Sequence, residues 1–550
     1  MTNIISSLIL AAHVLFGSPV NYPISLAGNF GEPRPNHFHG GVDVKTGGVE
    51  GKAIFSIGDG YVSHVSVGHD GFGNAVYIHH PEGYTSVYCH LKTFTPAIKA
   101  MVRKWQYNNK KSTGDIWFKP TDLPIAKGQL IAISGNSGAS EAPHLHLELH
   151  ETRTGDMLDP LAFIGQHIED GLPPMAHGFM AYPVIGEGAF NNDTGKSSHS
   201  FTSHNLTNKF TAWGKVGFGI WANDYMEITY NRYGVKQTEL LVDGKTVFKS
   251  NVYRIPYEKT IQVNAWGDHE HFLKYNVWYM HSFLYPGMGL QMLTADTNKG
   301  IVNFNQEKDY HLEYVLTDFK GNTSRYTFVV TGKRRELVAP KPLNTLLSVY
   351  WNRPYVLQTD GVQLLIKPHS VANMLTLTPK LNSKENALSG SYSFTNSAER
   401  LFQPARISIK LNKQVKDPSK LYINGWGYTS RYIGGKYEKG WITASMRDLH
   451  LQYTIEYDDE EPVISPVGQS NWNASKIIKL GLADSKSGIS SYEGYIDGQF
   501  ILFEEVPLSP WVACKLVETP LKRTGKQRKL TFFATDNQDN KRRYETTILY

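Results

Sequence analysis

Apolar and polar residues alternate in short runs along most of the chain, broken by glycine-rich turns. The segments GKAIFSIGDGYVSHVSVG (51–68), NAVYIHHPEGYTSVYCHL (74–91) and GQLIAISGNSG (128–138) are the clearest cases. A period of two predicts strands with one buried face. This first β region closes near DPLAFIG (159–165), and the LPP at 172–174 reads as a linker. Residues 98–123 break the rhythm: they are basic and aromatic, with a short helical pattern at Ile98–Trp105. They read as an inserted loop, either a lid over a groove or a structural excursion.

The same β grammar continues in three further segments, 175–335, 336–457 and 458–550. The second and fourth regions share a weak order of signals. Gly219-Ile220-Trp221-Ala222, Asp243-Gly244 and Asp318 to Asn322 recur as Gly481-Leu482-Ala483-Asp484, Asp497-Gly498 and Asp536 to Asn540. Asp-Gly turns between short strands are the expected grammar of β-sandwiches.

At 550 residues the chain is too long for one core, and three to four domains are expected. A net charge of +6 with no dense Lys/Arg stripe argues against nucleic-acid binding. Cys89 and Cys514 lie far apart, which excludes a disulfide framework and any Cys-rich metal site. The run Ile4 to Phe16 has the length of a signal-peptide core, although no basic residue precedes it; a buried first strand or helix is the alternative. Residues 1–20 are therefore read as a leader and 21–170 as the first domain. No second apolar segment is long enough for a stable membrane span.

Candidate chemistry centres on PHLHLELH (143–150). In a strand, His144 and His146 project to one face. With 21 histidines in the chain, roughly one H-x-H pair is expected by chance. Three occur, at 37/39, 144/146 and 269/271, so spacing alone says little. His269-Glu270-His271 sits in a loop-like stretch and reads as surface histidine. The pair at 144/146 gains weight from NHFHGGVDVKTG, where His39 and Asp43 are separated by small residues. His39, Asp43 and His146 would give a zinc ion three ligands and leave one position for water. His144 and His90 would then flank a water that ionises near neutral pH.

The ordered set H-x-x-x-D, Y-x-H-L, G-N-S-G and P-H-L-H-L-E over about residues 28–164 resembles the lysostaphin-type zinc endopeptidases that cut peptidoglycan peptides. The resemblance implies zinc ligands His39, Asp43 and His146, and a catalytic pair His90 and His144. It also implies a small antiparallel β domain crossed by a groove. His37 offers an alternative ligand, but only His39 has the matching spacing to Asp43. Cys89, next to His90, is expected to pack behind the sheet, because adjacent strand residues face opposite ways.

The expected architecture is thus mainly β: a small antiparallel β metallopeptidase domain followed by two or three Ig-like β-sandwich domains. The expected function is zinc-dependent hydrolysis of peptide bonds in peptidoglycan stems or cross-links, for cell-wall remodelling. The protein would be exported to the periplasm or cell envelope of a bacterium. The alternative is a catalytically silent envelope scaffold or amidase regulator that uses the same groove for binding. Trp221, Trp266 and Trp426 in the later domains are candidates for stacking on sugar rings, although each is more often a core residue.

Overall fold

A computed structural model of the protein describes residues 16–68, 70–339, 344–382, 387–507 and 509–550. Most of the leader expected at 1–20 lies outside the described residues. Its end does not: Phe16 and Val20 are buried in the first hydrophobic core, and Phe16 packs edge-on against His80. The folded domain therefore includes Phe16, which corrects a boundary at residue 21.

The N-terminal unit is built on a large antiparallel sheet. Its strands run in the order Leu26–Gly28, Gly41–Lys45, His144–Glu151, Tyr84–Cys89, Ala75–His79, Gly60–Val67 and Gly114–Trp117. A second sheet of three strands, Ala53–Phe55, Leu130–Ser134 and Leu91–Phe94, accompanies it. Apolar residues of both sheets meet in one cluster that includes Val62, Ile78, Leu147, Ile54 and Ile131.

The segment 98–123 is not a loop. A helix spans Pro96–Asn109, opened by the proline and buried along the stripe Ile98, Val102, Gln106 at i, i+4, i+8. Gly114–Trp117 then extends the sheet edge beside Gly60–Val67, at the opposite end of the strand order from Gly41–Lys45. The segment is a structural excursion tied to the sheet edge. It also reaches the last domain: Arg103 lies 2.9 Å from Glu504 and 3.2 Å from Glu518, and the Ser112 hydroxyl lies 3.3 Å from that of Tyr492.

The second domain forms one continuous 11-stranded sheet rather than two separate ones. The 22-residue strand Asn205–Met226 links its parts, antiparallel to Met175–Phe190 and parallel to Thr323–Gly332. Its core takes in Phe30, Phe38 and Met157 from the N-terminal unit. The two units are also joined by strand pairing, Met157–Leu158 with Arg254–Ile255. The third domain has two five-stranded sheets and the fourth has two four-stranded sheets, each pair around its own core.

His269 to His271, expected in a loop, open the helix His269–Tyr275, whose first turn is capped by Asp268 accepting from the His271 N–H. Trp266 is a core residue, whereas Trp426 is exposed and donates its indole N–H to Glu456. Both cysteines are free and buried. Among the described residues no helix is long and apolar enough to cross a membrane.

Candidate metal centre

The alternation in the strand His144–Glu151 decides what reaches the site. Leu145, Leu147 and Leu149 enter the core, which sends His144, His146, Glu148 and His150 to the opposite face. The neighbouring strand places Asp43 directly across from His146. Cross-strand partners share a face, so the two side chains meet without any loop needing to close.

His39 arrives from the turn before that strand. Its Nδ1–H donates to the Asn29 carbonyl at 2.7 Å, which leaves Nε2 facing Asp43 Oδ1 at 3.0 Å and His146 Nδ1 at 2.9 Å. His146 is oriented the other way. Its Nε2–H donates to Glu148 Oε1 at 2.9 Å, and Nδ1 lies 2.8 Å from Asp43 Oδ1. One donor atom from each of His39, Asp43 and His146 therefore lies within 4.8 Å of the others, in a buried cluster. Two imidazole nitrogens and one carboxylate oxygen with anchored outer atoms form a donor set that fits zinc. His37 is exposed, lies 3.1 Å from the Pro35 carbonyl, and is outside this cluster.

His90 and His144 stand beside the cluster with ring centroids 4.7 Å apart. His90 Nδ1 donates to the Ser137 carbonyl at 2.8 Å, and His144 Nδ1 to the Ala142 carbonyl at 2.8 Å. His144 Nε2 then lies 3.4 Å from Asp43 Oδ1. Ser137 is itself held by the 72–74 loop, since its hydroxyl accepts from the Asn74 N–H and donates to the Leu91 carbonyl. Gly73 is required there, because a Cβ would lie 2.4 Å from the Ser137 carbonyl carbon.

Cys89 corrects the expectation that it would pack behind the sheet. It pairs directly with His146 and shares a small cluster with Ala75 and Val87 on the site's face. The cause is His90, which has a left-handed φ of 60°. The strand ends at Cys89, so the two-residue alternation does not carry through to His90. Burial nonetheless pushes the Cys89 thiol well up, helped by the Glu148 and Asp43 carboxylates. A thiol held protonated and buried is no nucleophile.

Burial pulls His39 down to about 4, so it is a neutral imidazole. Burial also opposes charge on His146, but hydrogen bonds to the Asp43 and Glu148 carboxylates prevail and lift it to about 9. For Asp43 burial works upward, yet the imidazoles of His39, His144 and His146 hold it well below the usual carboxylate range. Without a metal ion, a proton on His146 is the positive charge between two carboxylates.

Three participants escaped the sequence reading. Glu148 orients His146 and also bonds His150 Nε2 at 2.5 Å. Arg34 donates to Asp43 Oδ2 at 2.7 Å, freeing Oδ1 for the cluster. Asn29 fixes His39 through its carbonyl. Glu148 was detectable, being two residues past His146 on the same strand face. So was its need for space: a Cβ on Gly40 would sit 2.3 Å from Glu148 Oε1, and one on Gly41 would sit 2.2 Å from the Leu147 carbonyl oxygen. Arg34 and Asn29 reach the site from turns that carry no periodic signal.

A buried β-sheet site of two imidazoles and one carboxylate, with two further histidines alongside, defines a metallopeptidase class of site. Residues 37–107 match the family model of peptidase family M23, which supports a metallopeptidase of that family in the N-terminal domain. Residues 347–458 match a Zu5-like domain. The chain is 32% identical over 120 residues to an uncharacterized metalloprotease of Haemophilus influenzae, covering 22% of this chain and 19% of that protein. The match thus spans about a fifth of that relative's length. Among solved structures, it is similar to the catalytic domain of a prophage-encoded M23 protein from Enterococcus faecalis (25% identity, 27% of this chain and 95% of that chain, TM-score 0.20). It is also similar to the catalytic domain of lysostaphin from Staphylococcus simulans (21% identity, 26% and 91%, TM-score 0.20).

Proposed function

We propose that the N-terminal domain hydrolyses peptide bonds in peptidoglycan stem peptides or cross-links, with zinc held by His39, Asp43 and His146. The observation that carries this reading is the convergence of three donor atoms within 4.8 Å beside two histidines outside the donor set. When bound, zinc supplies a Lewis acid that polarises the scissile carbonyl and activates water near neutral pH. His90 and His144 have their Nδ1 atoms engaged by carbonyls, so each presents Nε2 to the reacting groups. One takes the proton of the attacking water and the other holds the developing oxyanion or delivers a proton to the leaving amine. Arg34 keeps Asp43 in place. Peptidoglycan as substrate follows from the lysostaphin-type resemblance, and implies export to the cell envelope.

The test is digestion of purified sacculi by the full chain, wild type against His144→Ala, with zinc content measured on both. Muropeptide release by the wild type, lost in a variant that keeps its zinc, supports the enzyme and the role of His144. Bound zinc without release from several wall types would sink the reading, and would favour a scaffold or amidase regulator that uses the groove for binding.

A further inference from the structure

Where the first domain passes into the second, three carboxylates converge: Asp170 from the connecting segment, Asp224 near the end of the strand Asn205–Met226, and Asp318 from the turn between Asp309–Thr317 and Thr323–Gly332. One oxygen of each lies within 4.8 Å of the others. Asp318 is satisfied, its Oδ1 accepting from the N–H groups of Lys320, Gly321 and Asn322 and its Oδ2 from the Asn322 amide. Asp224 is different. It is 1% exposed, and its Oδ1 is buried with no hydrogen-bond partner, as is Asp170 Oδ2. The cation that acts on Asp170 is Lys320, whose ammonium donates to the Gly165 carbonyl at 2.9 Å. Buried acceptor oxygens without a donor are costly, and here two of them belong to mutually repelling acids.

We propose that Asp170, Asp224 and Asp318 bind a divalent cation of the calcium class, which fastens the connecting segment to the second domain. The donors are all oxygen, with no imidazole or thiolate, which selects a hard cation over zinc. Burial and the neighbouring acids push Asp170 up to about 7 and Asp224 up to about 8, the behaviour of carboxylates lacking a counter-charge. The fourth domain contains the built-in contrast. Asp458, Asp484 and Asp536 occupy the matching places, a connecting segment, a strand end and an Asp-x-x-x-Asn turn. There the carboxylates are answered internally. Asp458 Oδ2 accepts from the Ser487 hydroxyl at 2.6 Å, Asp484 Oδ1 from the N–H groups of Lys486 and Gly488, and Asp536 Oδ1 from those of Gln538 and Asn540. That second cluster carries no proposal.

The experiment uses the zinc-loaded full chain in metal-scrubbed buffer without chelator, titrated with Ca2+ alone. Binding is read by calorimetry and stability by thermal unfolding. The expected result is one site with Kd on the order of 10⁻⁴ M or tighter. The Tm should rise by about 5 °C once Ca2+ reaches roughly a hundred times Kd. Asp224→Asn keeps the shape and removes the charge, so it should abolish both effects while leaving zinc content unchanged. Asp170→Asn, on the more exposed arm, should weaken binding at least tenfold and serves if the Asp224 variant does not fold. The proposal is overturned if the wild type binds no Ca2+ at millimolar concentration. It is equally overturned if both variants bind as the wild type does, or if the Tm rise survives in them and disappears in Asp484→Asn.

Discussion

The histidine centre and the aspartate junction each gather three metal-class side chains from sheet strands and the segments beside them, and they differ in how their charges are answered. Around the histidines the acids that touch an imidazole have partners, Asp43 Oδ2 in Arg34 and Glu148 in His146 and His150, and only the neighbouring Glu32 Oε2 is buried without a hydrogen bond. At the junction Asp224 Oδ1 and Asp170 Oδ2 have none. Imidazoles can be locked by carbonyls and carboxylates before any ion arrives, so the first centre is held in place by hydrogen bonds within the protein. Carboxylates only repel one another, and a cluster of them is held by whatever positive charge comes. The difference teaches which metal each centre is shaped for, and where metal removal should be felt as lost activity and where as lost stability.

The largest effect expected is from His39→Ala. It deletes one of the three proposed ligands and leaves Asp43 without one of the imidazoles that hold it ionised, so zinc content and sacculus digestion should both fall below detection. Ca2+ binding at the junction should be unaffected. Retained digestion by a zinc-free variant would remove the distinction between the two centres.

Next comes Glu148→Gln, which keeps the shape but replaces a carboxylate acceptor with an amide. Loss of such an outer partner typically costs 10–100-fold in metal affinity, and competition with a zinc-binding dye would measure it. Wild-type affinity in the variant would mean that His146 needs no orientation from its neighbour.

How much of this was legible beforehand follows from where periodicity operates. His144, His146 and Asp43 lie on regular paired strands, and a two-residue period locates them without any tertiary knowledge. Cys89 was misplaced because the same period was extended through His90, whose left-handed backbone ends the strand. The helix Pro96–Asn109 was half visible as the pattern Ile98–Trp105. Its role was not, since Glu504 and Glu518 lie some four hundred positions along the chain. The repeat of Asp-x-x-x-Asn turns was legible, but the orphaned Asp224 oxygen was not, because nothing in the sequence says which acids find donors.

A smaller effect separates the two aspartate clusters. The folded-state pKa of Asp224, about 8, lies above its ordinary value of 3.8, so the native state favours its protonated form. The sign is therefore fixed. In metal-scrubbed buffer its contribution is fully present below about pH 4 and is lost as pH rises through 8. The Tm of the wild type should drop between pH 6 and pH 9 more than that of Asp224→Asn. Asp536→Asn should behave oppositely, lowering Tm across the range, because an amide NH2 in place of Oδ2 cannot accept from the Asn540 side-chain amide; about 1–2 kcal/mol is expected. Equal responses in the two variants would erase the contrast between an orphaned and a satisfied cluster.

The smallest effect belongs to Arg103→Ala. Its guanidinium joins the excursion helix to Glu504 and Glu518 of the last domain, at 19% side-chain exposure against partners exposed at 44% and 33%. Partners that wet screen the pair, so about 1 kcal/mol or less is expected. Lys99 also reaches Glu518, at 3.2 Å, and Tyr107 packs edge-on against Phe500 with centroids 5.8 Å apart. These contacts remain in the variant, so zinc content, digestion of sacculi and Ca2+ binding should match the wild type. Faster proteolysis between the third and fourth domains should be the visible change. If Arg103→Ala instead abolished digestion, the last domain would be acting on the peptidase through this helix, and the histidine centre could no longer be treated as preorganised by its own domain.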